Sequence, residues 1–304
     1  MTIGIRRFGA IAVAATMAIA ACSSSATPAP ASSSASGSSA AGGSFAPTSC
    51  ATGTITVAGS TALQPLVTAA GAIYTAACAG STITVNGGGS GTGLTQVAGG
   101  SIDIGDSDVT AASKLATPDA SALVDHLVAK QGWIVVANKD VTGITNLTTA
   151  QNVAIWTGQV TNWKDVGGPD LPIVLILRPT SSGTRATFKS IVLGGATEAS
   201  GQALTEDSNG AVTTAVQATN GSVSVIGFAY YAGTAKANLV GFQLDGVDAT
   251  VANMASGTYK LNAVGHMYTK GDPTGLAKSF LDYMLSPAVQ QGLIPSQFYA
   301  PVSQ

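Results

Sequence analysis

Two glycine-punctuated stretches decide how this chain reads: NGGGSGTGL at Asn86–Leu94 and ILRPTSSGTRATF at Ile176–Phe188. Each carries Ser-Gly-Thr, at Ser90–Thr92 and Ser182–Thr184, after a strand-like run and before a helix-like one. A strand that turns through glycine into a helix start collects backbone N–H groups without intrahelical partners, and the helix dipole adds partial positive charge there. The Ser and Thr hydroxyls add further donors, so each turn is a candidate anion cradle. A tight turn with no ligand remains the plain alternative for either loop taken alone. Other glycine-loop motifs fit less well. A P-loop ends in GK[ST], and Asn86–Leu94 has no lysine. A dinucleotide fingerprint lacks its acidic residue on the next strand. A nucleophile elbow needs glycine two residues either side of the serine, where Ser90 has Gly88 and Thr92 and Ser182 has Thr180 and Thr184.

Outward from these turns, apolar runs alternate in period. GTITVAG (53–59), STITVNGGG (81–89), GWIVVAN (132–138), PIVLILR (172–178), SVSVIGFAYYA (222–232) and GHMYTK (265–270) read as strands. Leu63, Leu66, Val67, Ala70 and Ile73 recur at helical spacing, with Ser60 or Thr61 as the cap. TGLTQVAGG, TRATFKSIVLGG, AVTTAVQAT and GLAKSFLDYMLS read as further helices. Strands alternating with helices predict an α/β architecture with largely parallel sheets, in which ligands bind where strand ends meet helix starts.

The chain has 304 residues, 45% hydrophobic and 9% charged, with a net charge of -2. That length suffices for two lobes, and the charge excludes a basic surface for nucleic acid or anionic lipid. Arg6 and Arg7 precede the apolar run FGAIAVAATMAIAA, and the segment 1–21 reads as a signal peptide. The run ends in IAAC at Cys22, which is similar to a bacterial lipobox whose cysteine is lipidated, palmitate being one such chain. From Ser23 to Thr48 the chain is nearly all Ser, Ala, Gly and Pro, and 22–49 is expected to be a flexible tether. Export makes a Cys50–Cys78 disulfide the expectation for the two remaining cysteines. No CxxC spacing or histidine cluster suggests a metal, and no cofactor is expected. His126 and His266 read as packed or surface residues, and Trp133, Trp156 and Trp163 as packing residues.

AGSTALQPL (58–66), GGGSGTGL (87–94), DIGDSDV (103–109) and RPTSSGT (178–184), in that order, resemble the PstS family of phosphate-binding lipoproteins of bacterial ABC-type phosphate importers. WTGQVTNW (156–163) and SNGAVTTAVQATNGSVSVIGFAYYA (208–232) extend the likeness over roughly residues 53–304. The resemblance implies a type II periplasmic-binding-protein fold, with two α/β lobes closing on an anion between them. It puts lobe I at 50–138 with a return segment 263–304, and lobe II at 139–262. The crossings then fall near Ala137–Lys139 and Ala263–His266. It also implies the phosphate ligands. Ser60, Thr61 and Ala62 match a hydroxyl and amide turn, Ser90 a hydroxyl donor, and Asp108 a buried acceptor carboxylate. Arg178 matches the guanidinium, and Ser182, Gly183 and Thr184 the donors that follow it. Asp103 and Asp106 compete for the place of Asp108. Thr180 stands where some relatives carry an acid that orients the arginine.

Phosphate near neutral pH keeps a proton and sulfate does not, so a buried carboxylate accepts from the first and repels the second. The function implied is capture of inorganic phosphate outside the membrane and delivery to permease subunits, by a monomeric, non-enzymatic protein held to the cell membrane by a lipid anchor alone. The rival readings are a receptor for sulfate or molybdate, a phosphate-ester hydrolase, and a phosphate sensor. A hydrolase would need an activated nucleophile or metal cluster that the sequence does not display.

Overall fold

The computed structural model describes residues 45–200 and 204–302. The expected signal peptide, Cys22 and the tether up to residue 44 lie outside the described residues. Phe45 is held against the body: Tyr283 donates its hydroxyl to the Phe45 carbonyl at 2.7 Å, and the Phe45 ring lies close against Gly292. Phe45 is the one aromatic residue in the Ser/Ala/Gly/Pro run over which the tether is expected. Cys50 and Cys78 form a disulfide.

The first half of the body is β1 (Gly53–Gly59), α1 (Gln64–Ala77), β2 (Ser81–Asn86), α2 (Ser90–Gly99), β3 (Ile104–Ser107), α3 (Thr117–Ser121) and the long strand β4 (Leu123–Ala137). Then follow β5 (Asn146–Leu147), α4 (Thr149–Trp156), β6 (Val174–Leu177), α5 (Gly183–Ile191), β7 (Leu204–Thr205), α6 (Asn209–Ala218) and β8 (Ser222–Gly227). The chain closes through β9 (Val240–Gly241), β10 (Gln243–Leu244), β11 (Asn262–Lys270) and a helix over Gly275–Met284. One nine-stranded sheet runs β2-β1-β3-β11-β4-β8-β6-β7, with β9 alongside β4. β1 is parallel to β2 and β3, and β6 to β7 and β8, as the alternating pattern requires. β11 runs antiparallel to both β3 and β4.

β4 runs through both halves of the sheet. Its residues Leu123–Gly132 pair with β11, and from Trp133 its partner is β8. β11 begins at the same level, just after Leu261, whose carbonyl accepts from Trp133 N–H at 3.1 Å. Pairing thus switches at Gly132/Trp133 and Leu261/Asn262, ahead of Ala137–Lys139 and Ala263–His266, where the crossings are expected from the resemblance. The polar residues Asp125, His126, Lys130 and Gln131 interrupt the apolar pattern before Gly132, so a strand of fifteen residues reads as one of seven. β11 supplies partners for Asp125 and His126, while Lys130 donates to the Ala255 carbonyl and Gln131 to Asp108.

Each half has its own core. Val57, Leu66, Val67, Ala70, Tyr74, Met267 and Phe280 pack in the first, and Trp133, Val135, Ile176, Phe188, Val212, Val216 and Val225 in the second. The helical spacing from Leu63 buries Leu66, Val67, Ala70 and Tyr74 against the sheet, at about 1.5–3 kcal/mol for each large apolar side chain. The strand expected over 222–232 stops at Gly227, and Phe228–Tyr230 begins a helical turn. Among the described residues no helix is long and apolar enough to cross a membrane.

Candidate anion-binding site

Four helix starts and the ends of β1, β3 and β6 converge where the two halves of the sheet meet. Gly59 ends β1, and the turn Ser60–Leu63 leads into α1. Ser60 accepts N–H bonds from Ala62 and Leu63 on its hydroxyl, both at 3.1 Å, so the short side chain satisfies amides that the helix cannot. α2 starts at Ser90 after Gly89, whose φ of 86° is the left-handed region that glycine enters without cost. α5 starts after Ser182, whose hydroxyl accepts from Arg185 N–H at 3.2 Å. α6 starts at Asn209, capped by Ser208.

The nine residues expected at the site are all buried: Ser60, Thr61, Ala62, Ser90, Asp108, Arg178, Ser182, Gly183 and Thr184. Asp108 is the hub. Its Oδ1 accepts from the Ser60 hydroxyl and from Gln131 Nε2 at 3.0 Å, and its Oδ2 accepts only a long bond from Thr184 Oγ1, at 3.4 Å. Its own N–H donates to Ser90 Oγ at 2.9 Å. Burial raises the Asp108 carboxyl above its ordinary value, while Ser60, Gln131, Arg178 and Thr184 oppose that rise. The three serine hydroxyls therefore differ. Ser60 sends its proton to Asp108, whereas Ser90 and Ser182 each accept an N–H and keep a proton to donate.

Of the competing acids, Asp103 lies apart, its Oδ2 accepting from Thr56 N–H at 2.8 Å in an exposed setting. Asp106 lies in β3 with both carboxyl oxygens buried and without a hydrogen-bond partner. Burial first, and Asp108 second, raise its carboxyl well above the ordinary range, which favours the neutral acid.

Arg178 follows directly on β6, 3% exposed. Nη1 donates to Asn209 Oδ1 at 3.0 Å, and Nη2 to the Asp207 carbonyl at 3.0 Å and to Thr61 Oγ1 at 3.2 Å. Asn209 in turn donates through Nδ2 to the Thr61 carbonyl at 2.8 Å. The orienting partner, absent at Thr180, is thus an amide and a carbonyl thirty residues downstream. Burial lowers the guanidinium to about 10, with Asp108 and Asp207 opposing, so it stays charged at neutral pH. Its Nε is a buried donor with no acceptor in the protein. The neighbouring Arg185 serves elsewhere: its guanidinium pairs with Glu198 at 2.6 Å and donates to the Arg178 carbonyl at 2.6 Å.

The halves touch closely here. A Cβ on Gly183 would come within 2.1 Å of Ser90 Oγ and 2.7 Å of Asp108 Oδ2, so only glycine allows the start of α5 this near β3. Gly91 N–H donates to the Ser181 carbonyl at 2.9 Å across the same seam. Gln131, Trp133 and Asn209 are members that residue-by-residue reading missed. Trp133, expected only to pack, donates Nε1 to Thr184 Oγ1 at 3.0 Å and fixes that hydroxyl. Gln131 sits in the unread part of β4, and Asn209 stands inside the stretch 208–232 without a role assigned to it. The histidines stand apart from the site: His266 pairs with Asp125 at 2.9 Å and His126 with Thr269 at 3.1 Å. Trp156 and Trp163 pack in the core of the second half, against Phe188 and Phe242.

The model of the PBP superfamily domain matches residues 44–288. The phosphate-binding protein PstS of Bacillus subtilis is 41% identical over 253 residues, which is 83% of this chain and 82% of that protein. Among solved structures, a putative phosphate ABC transporter substrate-binding protein from Clostridium perfringens with bound phosphate aligns with a TM-score of 0.75 at 27% identity, over 83% of this chain and all of that one. An ABC-type phosphate transport receptor from Vibrio cholerae aligns with a TM-score of 0.63, also at 27% identity, over 82% of this chain and 100% of that chain. On the breadth of the family match and the identity to PstS over most of both chains, this chain belongs to the PBP superfamily and, within it, to the PstS family.

Proposed function

We propose that the chain is a receptor, not an enzyme, that captures inorganic phosphate outside the membrane and hands it to the permease subunits of an ABC importer. The observation that carries this reading is a pair of opposite needs among the buried residues of this cluster, on two side chains close enough to feel each other's charge. Arg178 Nε is a buried donor without an acceptor, and Asp108 Oδ2 is a buried acceptor with one weak donor. A buried N–H left unmatched costs about 1–3 kcal/mol, which an acceptor supplied by a ligand would recover. An anion that both accepts and donates satisfies both groups, and protonated phosphate does so.

In this reading the anion lies between the Thr61–Ala62 turn and Ser90 on one side and Arg178, Ser182, Gly183 and Thr184 on the other. Ser60 serves by holding Asp108 and the turn. Ser90 and Ser182 donate hydroxyl protons, the starts of α2 and α5 supply amides and dipole charge, and Arg178 supplies the full positive charge. Asp108 reads the phosphate proton. Sulfate would set lone pairs against the carboxylate, a mismatch of the kind that discriminates by about 10⁴-fold or more. Lobe I comprises residues up to Gly132 and from Asn262, lobe II those between, and closure bends the two strand crossings. A lipid on Cys22 and the tether after it keep the monomeric body at the membrane surface, within reach of its permease.

Calorimetric titration of the body with phosphate, arsenate and sulfate tests the function. Phosphate and arsenate should bind and sulfate should not, because arsenate shares phosphate's shape and protonation. Tight sulfate binding or no phosphate binding would overturn the reading.

A further inference from the structure

Lys114 holds a cross-cleft contact that anion binding does not itself explain. Its backbone is fixed to the first lobe. Lys114 N–H donates to the Ala111 carbonyl at 3.0 Å, and Ala111 N–H donates to the hydroxyl of Tyr268 in β11 at 3.1 Å. Its side chain reaches the other lobe, where Nζ donates to the Thr180 carbonyl at 2.7 Å. Thr180 lies in the turn between Arg178 and Ser182, closed by Ser182 N–H on the Pro179 carbonyl at 3.0 Å. The same turn receives Gly91 N–H on the Ser181 carbonyl, also from the first lobe. The lobe II turn that carries the site's arginine and donors is thus gripped at two successive carbonyls by lobe I.

The two grips differ in kind. Gly91 offers a backbone amide of α2, which is present whatever the side chain. Lys114 offers a charged donor on a long stem, half-buried, and among the described residues it has no carboxylate partner. An ammonium held at a neutral carbonyl is a stronger bond than a neutral donor makes, and this one exists only while the lobes touch. Burial, and next Arg185, lower its ammonium from the ordinary lysine value, while Asp108 raises it. The charge is therefore felt at the site's carboxylate although the side chain points to the turn.

Resting on the phosphate-receptor reading, we propose that Lys114 is a positioning residue that holds the Pro179–Ser182 turn closed over the bound anion and so sets how long the anion stays. Removing the clamp destabilises the closed state and leaves the open one as it was. The effect then falls on the dissociation rate, with association changed little.

The experiment is stopped-flow binding and release of inorganic phosphate, followed by the fluorescence of Trp133 and its neighbours, in the parent, Lys114→Met and Lys114→Arg at physiological ionic strength. Lys114→Met should release phosphate about tenfold faster with an association rate within about threefold of the parent. Lys114→Arg, which keeps a charged donor of similar reach, should recover most of the loss. Melting of the phosphate-free proteins should coincide, since the clamp belongs to the closed form. An unchanged release rate in Lys114→Met overturns the proposal. So does a slower association with normal release, which would make Lys114 a steering charge, and so does a matching loss of phosphate-free stability, which would make it structural. If the parent itself binds no phosphate, the receptor reading fails first, and with it this one.

Discussion

Arg178, just past the end of β6, donates through Nη2 to Thr61 Oγ1 in the turn after β1, across 3.2 Å and from one lobe to the other. The two residues are 117 positions apart. Their contact joins both halves of the proposed site, and Asn209 locks it by bonding to Arg178 with its oxygen and to the Thr61 carbonyl with its nitrogen. A change at any of the three should therefore be felt in the others.

Arg178→Ala removes the full positive charge proposed for the anion and should weaken phosphate binding by about 2–4 kcal/mol, measured by calorimetry. Arg185→Ala should act differently. Arg185 pairs with Glu198, whose side chain is 3% exposed, so its loss strands a buried carboxylate and should lower stability by about 3 kcal/mol. Phosphate affinity of the folded Arg185 variant should stay near the parent's. Equal losses of affinity in both variants would show that the two guanidinia share the ligand.

Asp108→Asn keeps size and shape and turns an acceptor-only group into one that also donates. Phosphate should still bind, weakened moderately, and sulfate binding should become measurable at fixed ionic strength. If Asp108→Asn still excludes sulfate while Asp106→Asn admits it, the proton reader is Asp106.

Asp106 is raised in the folded protein, chiefly by burial, from an unfolded value of about 3.9. The folded state then holds a proton that the unfolded state has released. Stability present at low pH is lost as pH rises from about 4 through the raised value. Asp106→Asn has no such proton. Urea midpoints taken between pH 4 and 8 should fall more steeply with rising pH in the parent than in the variant. Parallel curves would mean that Asp106 ionises in the fold without penalty.

The Cys50–Cys78 disulfide closes a loop of 28 residues' separation, which on the chain-entropy estimate stabilises by about 3–4 kcal/mol. A double change to serine should lower the denaturant midpoint accordingly. The phosphate affinity of the folded fraction should be unchanged, since neither cysteine is among the site residues.

Cys22→Ala should move the protein from the membrane fraction of an expressing cell to the soluble one. Retention of the variant in the membrane would refute the proposed anchor.

Local chemistry is what the sequence displays. The turns Asn86–Leu94 and Pro179–Thr184 announce themselves because glycine and hydroxyl residues between periodic runs admit few conformations. The α1 core face shows for the same reason: Leu66, Val67 and Ala70 repeat at the helical period and all three are buried. Gln131 gave no such signal. A glutamine in a mixed polar stretch looks like a loop residue until β11 pairs beside it and its amide meets Asp108. Asn209 stands two residues before the run that reads as a helix, and its hold on Arg178 depends on residues far away in the chain.

By itself the sequence determined the α/β alternation and the two donor-rich turns, because these rest on side-chain period, composition and backbone freedom within a few residues. Tertiary structure alone decided which of three nearby acids faces the donors, which of two arginines keeps a buried N–H without an acceptor, and where the pairing of β4 passes from β11 to β8. Asp103, Asp106 and Asp108 differ in chain position by five residues at most, yet one is exposed, one is sealed without a partner and one is held by Ser60, Gln131 and Thr184. Such differences are set by burial and by hydrogen-bond partners brought from distant segments, and those arise only when the sheet has formed and the lobes have met.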